Sequence, residues 1–273
     1  MNHIWRFLRT GKHSAAMNMA IDEAILSRQA ASPQPTLRFY DWSQPAFSFG
    51  YFQQISREVD AVACAARGVE LVRRMTGGGT VIHGWDVTYA VVVPHDGILP
   101  KSISASYDAI SGCLIHGFQK AGVANPQIET LAPNAANQER YPGTNLANIC
   151  LANPAKYDVM LGGKKIAGVS QRRNQIGVMH QGYIALDMPP AEVLALASRQ
   201  SGFDRYLMGA SAFINTGECV QINRRQIEDA VAAGFEEQLG VQLIDGELSD
   251  RELESADCLV KTKYATHDWN FRR

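Results

Sequence analysis

The sequence predicts a mixed α/β fold in which helices flank a sheet built partly from hairpins. Residues 86–94, DVTYAVVVP, form a nearly continuous β-branched and aromatic run that is typical of a strand central in a sheet. Two further strand-like segments, YDVML and KKIAGVSQRR, are joined by Gly162-Gly163, which is a hairpin signal. Helical segments occur at both ends of the chain, without the strict strand–helix alternation of a doubly wound fold.

The first half of the chain supplies a helix and several strands. Residues 4–8 have strand composition, and MNMAIDEAIL at 17–26 places its apolar residues on one helical face. SPQP breaks this helix before the strand-like TLRFYDW at 36–42. SREVDAVACAARG predicts a short helix closed by Gly68. ELVRRM and TVIH predict strands on either side of three consecutive glycines.

The second half begins with SASYDAISGCLIHGFQKAG, which suits an amphipathic helix ending at Gly122. Residues 125–148 have no clear period and predict a long loop of the kind that is often functional. GVMHQGYIALDM at 177–188 alternates as a strand does. PPAEVLALAS and RRQIEDAVAAGFEEQLG predict helices, and a charged tail ends in KYATHDWNFRR.

Composition excludes several classes of protein. The net charge of −1 over 273 residues argues against a nucleic-acid binder. No apolar run is long enough to span a bilayer, and the N-terminus lacks the apolar core of a signal peptide. Five scattered cysteines without CxxC spacing indicate reduced thiols, so we expect a cytoplasmic protein without disulfides.

The strongest local motif is RRMTGGGTVIH at 73–83. Adjacent glycines let backbone N–H groups approach a ligand closely, although a tight turn between strands gives the same pattern. No GK[ST] follows and no helix is expected next, so the motif is not a Walker A loop, and GxGxxG is absent. Arg73 and Arg74 are suited to holding an anion, or are surface charge.

A lysine pair follows the predicted hairpin turn in GGKKIAGVSQRR. Because successive strand residues face opposite sides, only one of Lys164 and Lys165 can point inward. An inward lysine would polarise a carbonyl or neutralise a phosphate, whereas an edge-strand lysine would be solvated.

The cysteines divide into two groups. Cys64, Cys113, Cys219 and Cys258 have the context of small buried hydrophobes. Cys150 lies beside the long loop and close in sequence to two lysines, which would lower a thiol pKa, so it is the candidate nucleophile. His83 and His180 lack metal-ligand spacing, and no GxSxG elbow supports a Ser-His-Asp site.

Over nearly the whole chain, the order of these motifs resembles the lipoate–protein ligase/octanoyltransferase superfamily. The segments that carry the resemblance are, in order, NMAIDEAIL, RRMTGGGTVIH, DVTYAVVVP, Cys150, YDVMLGGKKIAGVSQRR, HQGYIAL and KYATHDWNFRR. The resemblance implies a biotin/lipoate protein ligase-like fold, related to class II synthetases: a mixed, largely antiparallel sheet flanked by helices. It also implies one catalytic domain over residues 1–273, with no C-terminal accessory domain.

The implied chemistry is acyl transfer to a lysine of a small lipoyl-accepting domain. By the resemblance, Cys150 is the nucleophile and Lys165 contacts the activated carbonyl. The substrate-binding residues it implies are Arg73, Thr76, Gly77, Gly78, Gly79, His83, Gly168 and His180. The implied partners are acyl carrier protein as octanoyl donor and a glycine cleavage H protein or a dehydrogenase E2 lipoyl domain as acceptor, with no nucleic acid, membrane, metal or cofactor.

Two subclasses remain open. Cysteine-dependent octanoyltransferases take the acyl group from acyl carrier protein through a thioester, and Cys150 together with the absence of an accessory domain favours them. ATP-dependent ligases activate lipoate or octanoate as an acyl-adenylate and would need ATP and Mg. Three features depart from the transferase pattern. They are Gly79, where the transferases usually have arginine, Gly84 after His83, and the order His180-Gln181. A non-catalytic acyl- or carrier-binding protein is a third class, and Cys150 argues against biotin as the ligand.

Overall fold

The computed structural model describes residues 3–123, 126–128, 155–197 and 223–272. In this part of the chain eleven strands form two sheets. Listed in chain order, they are β1 (His3–His13), β2 (Thr36–Trp42), β3 (Ala46–Phe49), β4 (Glu70–Arg73), β5 (Val81–His83), β6 (Asp86–Pro94), β7 (Gln127–Ile128), β8 (Val159–Leu161), β9 (Lys164–Arg173), β10 (Gly177–Ala185) and β11 (Val241–Asp245).

The large sheet has the strand order β11-β1-β2-β6-β10-β9-β8-β7. The pairs β11–β1 and β1–β2 are parallel. The pairs from β2 through β6, β10, β9 and β8 to β7 are all antiparallel. The sheet is therefore mixed and largely antiparallel, which confirms the predicted fold class, and β6 is central as its composition indicated.

A small sheet, in the order β4-β3-β5, carries the segments on both sides of the glycine motif. β3 pairs with β4 in parallel and with β5 in antiparallel orientation. The three consecutive glycines therefore connect the two outer strands of this small sheet.

Helices cover both faces of the large sheet. In chain order the described helices are α1 (Ala15–Arg28), α2 (Ile55–Glu58), α3 (Ala61–Ala66), α4 (Ile103–Lys120), α5 (Ala191–Ala197), α6 (Arg224–Leu239), α7 (Asp250–Leu259) and α8 (His267–Asn270), with a π-helical turn at Val260–Tyr264. One core contains residues of α4 and α6 against the sheet, and a second contains residues of α1 and α7. A third core joins the small sheet to α5.

Local sequence signals fix the ends of these helices. The Ser14 side chain accepts from the Met17 N–H at the start of α1, and Asn223 forms a capping box with Gln226 at the start of α6. α6 ends at Gly240, which is in the left-handed conformation (φ 62°). The Gly162-Gly163 turn joins β8 to β9 as a hairpin, as predicted.

Three predicted elements differ from the structure. β1 continues to His13 rather than ending near residue 8. The predicted helix at 56–68 is two short helices, because the Asp60 side chain accepts from the Val62 and Ala63 N–H groups and starts a new helix. The charged tail is helical, and the capping box of Ser249 and Glu252 was the sequence signal for α7.

Most of the predicted loop at 125–148 lies outside the described residues, apart from residues 126–128. Among the described helices none combines the length and the apolar character needed to cross a membrane.

Candidate active site

A cavity of about 160 Å³ lies between the central strands of the large sheet, the small sheet and α1. A cavity of about 150 Å³ holds a benzene-sized ligand, so a short aliphatic chain fits here. Its apolar and aromatic lining comes from Met19, Tyr40, Trp42, Val81, Val169 and Tyr183. Its polar lining comes from Ser48, Arg74, His83, Thr88, Asp158, Lys165, Ser170 and Gln181, and backbone at Gly78, Gly79, Ala155, Gly168 and Gly182 completes the wall.

Lys165 enters the cavity wall from β9. Its Nζ lies 2.7 Å from Asp158 Oδ2, and the two side chains are only 2% and 4% exposed. The Ala155 N–H donates to the same carboxylate oxygen at 2.6 Å. Lys164 is partly exposed, so the inward-pointing residue of the pair is Lys165, as expected for successive strand residues. A buried ammonium requires such a partner, because an unpaired charge in this position would be strongly destabilising.

Gly168 allows the Lys165 side chain to lie where it does. A Cβ at position 168 would stand 2.6 Å from Lys165 Cε, 2.7 Å from Lys165 Nζ and 3.1 Å from the Tyr183 ring. These separations are shorter than van der Waals contact. A Cβ at position 168 would therefore displace the end of the Lys165 side chain from where it lies.

The glycine motif packs against β3 and is held by Arg74. Gly78 has φ 90°, which favours glycine, and a Cβ on Gly50 would overlap the Gly78 carbonyl. Arg74 Nη2 donates to the carbonyl oxygens of Gly77 (3.1 Å) and Gly79 (2.9 Å). Gly78 and Gly79 line the cavity, whereas Gly77 lies next to the lining residues.

Arg73 does not line the cavity, in contrast to the sequence-based expectation; Arg74 does. Arg73 is fully buried and its Nη1 donates to the carbonyls of Gly50, Tyr51 and Gln53. Its Nε and Nη2 donate to the carbonyls of Trp269 (3.0 Å) and Asn270 (2.7 Å) in α8. The two arginines point to opposite sides because they are adjacent at the end of a strand.

Thr76 takes part in a polar chain behind the cavity wall. Its Oγ1 donates to Gln181 Oε1 at 2.9 Å, and Gln181 Nε2 donates to Asp22 Oδ2 at 2.7 Å. Asp22 is fully buried and pairs with Arg38 at 2.6 Å. Sequence reasoning missed Asp22 and Arg38. A carboxylate among the apolar residues of MNMAIDEAIL was the available signal.

Ser48 and His83 of the cavity wall form a hydrogen-bonded series with Asp86. His83 Nε2 lies 2.6 Å from Ser48 Oγ, and His83 Nδ1 lies 2.8 Å from Asp86 Oδ2. The missing GxSxG elbow argued against this constellation, yet the structure brings the three residues together from β3, β5 and β6. Ser48 and Asp86 were not predicted, since nothing local links them to His83 except the short spacing from 83 to 86.

His180 is fully buried but does not line the cavity. Its Nε2 lies 2.8 Å from Ser106 Oγ of α4 and 2.8 Å from Gln171 Nε2 of β9. Burial lowers the pKa of His180 to about 3, with a smaller contribution from the charge of Arg173. The ring is therefore neutral at physiological pH, and the structure separates it from the residues around Lys165.

The two buried cysteines in the described part of the chain do not have the environment of a reactive thiol. Burial raises the pKa of Cys64 and raises that of Cys113 to about 12, so neither thiol ionises readily. Cys258 is exposed, and the expectation that it is buried was wrong. Cys150 and Cys219 lie outside the described residues. No group of three His, Cys, Asp or Glu side chains within the described ranges is placed to hold a metal.

This combination of fold and site places the chain in a known class of enzymes. Residues 14–234 match the lipoyl protein ligase A/B catalytic domain. The chain belongs to this family.

Two full-length relatives specify the class further. The octanoyltransferase LipM of Kyrpidia tusciae is 36% identical over 277 residues, covering 98% of this chain and 99% of that protein. The octanoyltransferase LipM of Brevibacillus brevis is 35% identical, with the same coverage. The predicted enzyme class, an acyltransferase, is confirmed by these relatives.

Solved structures agree on the fold. A putative lipoate protein ligase from Thermoplasma acidophilum, determined with bound lipoic acid, has a TM-score of 0.79 at 23% identity and is covered completely by this chain. A lipoate-protein ligase A bound with ATP has a TM-score of 0.80 at 23% identity, with 99% of both chains covered. At this sequence identity the structural similarity establishes the shared fold and does not identify the reaction.

Proposed function

We propose that the protein is an octanoyl-[acyl-carrier-protein]:protein N-octanoyltransferase of lipoate assembly. In this reaction an octanoyl group leaves a thioester on acyl carrier protein and is bound as a thioester by Cys150. It then forms an amide with a lysine of a lipoyl-accepting domain, either a glycine cleavage H protein or a dehydrogenase E2 domain. The relatives that extend over the full chain carry the name octanoyltransferase, which supports this assignment.

One observation carries the proposal: a buried Lys165–Asp158 pair faces an otherwise largely apolar cavity. The apolar wall suits an aliphatic chain. Burying roughly six methylenes at about 0.8 kcal/mol each contributes about 5 kcal/mol of binding free energy. The ammonium group of Lys165 would then donate to the carbonyl oxygen at the polar end of the chain.

Lys165 would act on both halves of the reaction. When a nucleophile attacks the acyl carbonyl, negative charge develops on the carbonyl oxygen, and a donor fixed in a dry wall stabilises it without reorganisation. A nearby ammonium also favours the thiolate form of a cysteine, which is the nucleophilic form. Asp158 would hold Lys165 in place and neutralise its charge between turnovers.

No cofactor is required in this scheme, because exchange of a thioester for an amide is downhill. The remaining proposed substrate-binding residues are Gly78, Gly79, Gly168 and His83, which line the cavity, and Arg74, which takes the place proposed for Arg73. Thr76 and Gly77 would act from directly behind this wall.

The alternative is an ATP-dependent lipoate–protein ligase that forms an acyl-adenylate. It is favoured by Gly79 and by the order His180-Gln181, which resemble the ligases. Such an enzyme would need ATP and Mg but no cysteine.

The deciding experiment incubates the protein with octanoyl–acyl carrier protein and measures intact mass. The transferase predicts an octanoyl adduct that hydroxylamine removes and that Cys150→Ala abolishes, while Cys258→Ala, at an exposed thiol, retains it. Full activity of Cys150→Ala together with a requirement for ATP would establish the ligase instead.

A matched pair of lysine variants tests the role of the buried ammonium. Lys165→Met should lower octanoyl transfer by at least about 100-fold, the size of effect known for losing one oxyanion donor. Lys164→Met, on the opposite face of the same strand, should stay within a few-fold of the wild type. Equal effects of the two substitutions would contradict the assignment of Lys165.

A further inference from the structure

A surface patch of aromatic and arginine side chains borders the cavity and has no part in the scheme above. This arginine–aromatic patch consists of Tyr51, Phe52, Arg172, Trp269 and Arg272. Phe52 is 70% exposed, and the two arginines are exposed as well. Aromatic residues and arginine are the types enriched in protein interfaces and in their hot spots, so the composition of the patch is that of a binding surface.

The Tyr51 ring is the centre of the patch. Arg272 Cζ lies 4.4 Å from the ring centroid and Arg172 Cζ lies 5.7 Å from it. The rings of Phe52 and Trp269 meet it edge to face, with centroids 5.0 and 5.9 Å away. Arg272 Nη2 also donates to Tyr51 Oη at 2.5 Å. Both guanidinium groups therefore lie on an aromatic base before any partner binds, which reduces the side-chain entropy that binding would cost.

The buried Arg73 fixes the patch to the fold. Its Nη1 donates to the carbonyls of Tyr51 (2.8 Å) and Gln53 (2.7 Å). Its Nε donates to the carbonyl of Trp269 at 3.0 Å. The Tyr51 N–H donates to the carbonyl of Thr76, just before the three glycines, at 2.8 Å. One buried side chain thus joins both segments that carry the patch and holds them in a fixed position beside the glycine motif.

The patch adjoins the cavity at two places. Gly168, Ser170 and Arg172 share one face of β9, and the first two line the cavity. At the rise of a strand, Arg172 lies about 7 Å beyond Ser170 and about 13 Å beyond Gly168. On the other side, Gly50 begins the turn that carries Tyr51 and packs directly on the cavity-lining Gly78. A protein that inserts a side chain into the cavity from this side would therefore cover the patch.

The positive charge of the patch is not compensated by the part of the chain that the structure describes. Within those residues neither Arg172 nor Arg272 forms an ion pair, and their contacts are to the aromatic rings. Lys263, which lies 4.2 Å from the Trp269 ring centroid, differs because Glu23 pairs with it at 2.6 Å. The whole chain has a net charge of −1, so this excess of positive charge is local. A partner surface that carries carboxylates is complementary to it.

Of the two protein substrates of the proposed reaction, the acceptor is the one whose body must lie this close to the cavity. Its amine stands at the end of a lysine side chain, which reaches only about 6 Å from the backbone. A domain of about 100 residues has a radius of gyration of about 13 Å, which equals the distance from Gly168 to Arg172. An acceptor whose lysine reaches the acyl group therefore extends over the patch. The acyl carrier protein presents its thioester on a long prosthetic arm and needs no such approach.

We propose that the arginine–aromatic patch is the docking surface for the lipoyl-accepting domain, an inference that rests on the proposed transferase function. Arg172 and Arg272 would pair with carboxylates that flank the target lysine of that domain. Phe52 would supply the apolar contact. Because the patch is fixed beside the glycine motif, docking there directs the target lysine toward the cavity.

The test uses octanoyl–acyl carrier protein as donor and a purified glycine cleavage H protein, free of its acyl group, as acceptor. The double variant Arg172→Glu/Arg272→Glu should raise the KM for the acceptor at least about tenfold at low salt and leave kcat within about threefold. The ratio of variant to wild-type KM should approach one as salt is raised to about 0.5 M, because salt screens exposed charges. Arg225→Glu, at an exposed arginine of α6 on the opposite face of the large sheet, should behave as the wild type.

Two further measurements separate the acceptor from other occupants. Phe52→Ser should raise the same KM at low and at high salt, and it tests the surface independently of charge. Formation of the octanoyl adduct should keep the wild-type dependence on carrier concentration in every variant. An unchanged acceptor KM overturns the docking surface and leaves the transferase intact, and so does a defect confined to adduct formation, which would assign the patch to the donor. A wild-type protein that transfers no octanoyl group overturns the proposed function and the docking surface with it.

Discussion

The buried histidine outside the cavity should make folding stability depend on pH. His180 is fully buried in neutral form, with Ser106 and Gln171 at its Nε2. Burial lowers its pKa to about 3, compared with 6.5 for an ordinary histidine. The substitution His180→Gln tests this pH dependence, because glutamine retains a polar side chain for both partners but cannot take up a proton.

The sign and size of the effect follow from linkage. Between pH 3 and 6.5 the unfolded chain binds a proton at position 180 that the folded chain does not bind. Stability from this group is therefore complete above pH 6.5 and is lost as the pH falls. One pH unit corresponds to about 1.4 kcal/mol, so from pH 7 to pH 5 the wild type should lose about 2 kcal/mol through His180 alone.

Urea denaturation at pH 7 and pH 5 measures this quantity as a difference between proteins. His180→Gln is expected to be less stable than the wild type at pH 7, but its loss between pH 7 and pH 5 should be about 2 kcal/mol smaller. His95→Gln removes an exposed histidine and should leave the wild-type slope unchanged. An unchanged slope in His180→Gln would refute the conclusion that this ring is buried without its proton.

Three further substitutions test individual contacts in the site and in the fold around it. Gly168→Ala forces a Cβ within 2.7 Å of Lys165 Nζ, so octanoyl transfer should fall about 100-fold, the cost of a displacement of about 1 Å. Its melting temperature should fall only slightly, and Gly112→Ala, where a Cβ meets no atom within 4 Å, should leave transfer unchanged. Asn270→Ala removes the acceptor for the Arg73 N–H at 2.8 Å and should cost about 1–3 kcal/mol by urea denaturation, while an unaltered midpoint would contradict an anchoring role. Arg6→Met breaks the buried pair with Glu252 (2.6 Å) and should cost about 3–5 kcal/mol, and a neutral result in the same assay would show that α7 is held by its apolar contacts instead.

Much of the fold was predictable because its signals are local. The run DVTYAVVVP identified the central strand, and Gly162-Gly163 identified the hairpin before β9. The parallel pairing of β1 with β11 was not predictable, since the two strands are more than 220 residues apart and no local pattern records their contact. The helix in the charged tail was not predicted, although Ser249 and Glu252 have the spacing of a capping box.

The site was predictable in its composition and less so in its geometry. The alternation rule predicted that only one of Lys164 and Lys165 points inward, and the resemblance identified Lys165 and Gly168. The same rule separates Arg73 from Arg74, but it cannot say which of the two faces a cavity, because that depends on α8 packing on one side. Ser48 reaches His83 only through the pairing of β3 with β5, so no motif contains both residues.

Residues of both sheets line the cavity, and the two arginines tie the glycine motif to its neighbours on either side. Lys165 belongs to the large sheet, whereas Ser48 and His83 belong to the small sheet, so the relative position of the two sheets sets the shape of the cavity. Arg74 ties β3 to the glycine motif within the cavity wall. Arg73 ties the same motif to α8, whose Trp269 Nε1 in turn donates to the Arg73 carbonyl at 3.0 Å. A variant that weakens the α8 contacts should therefore impair transfer more than octanoate binding. Octanoate binding needs only the apolar wall, whereas transfer also needs the two sheets to keep their relative position.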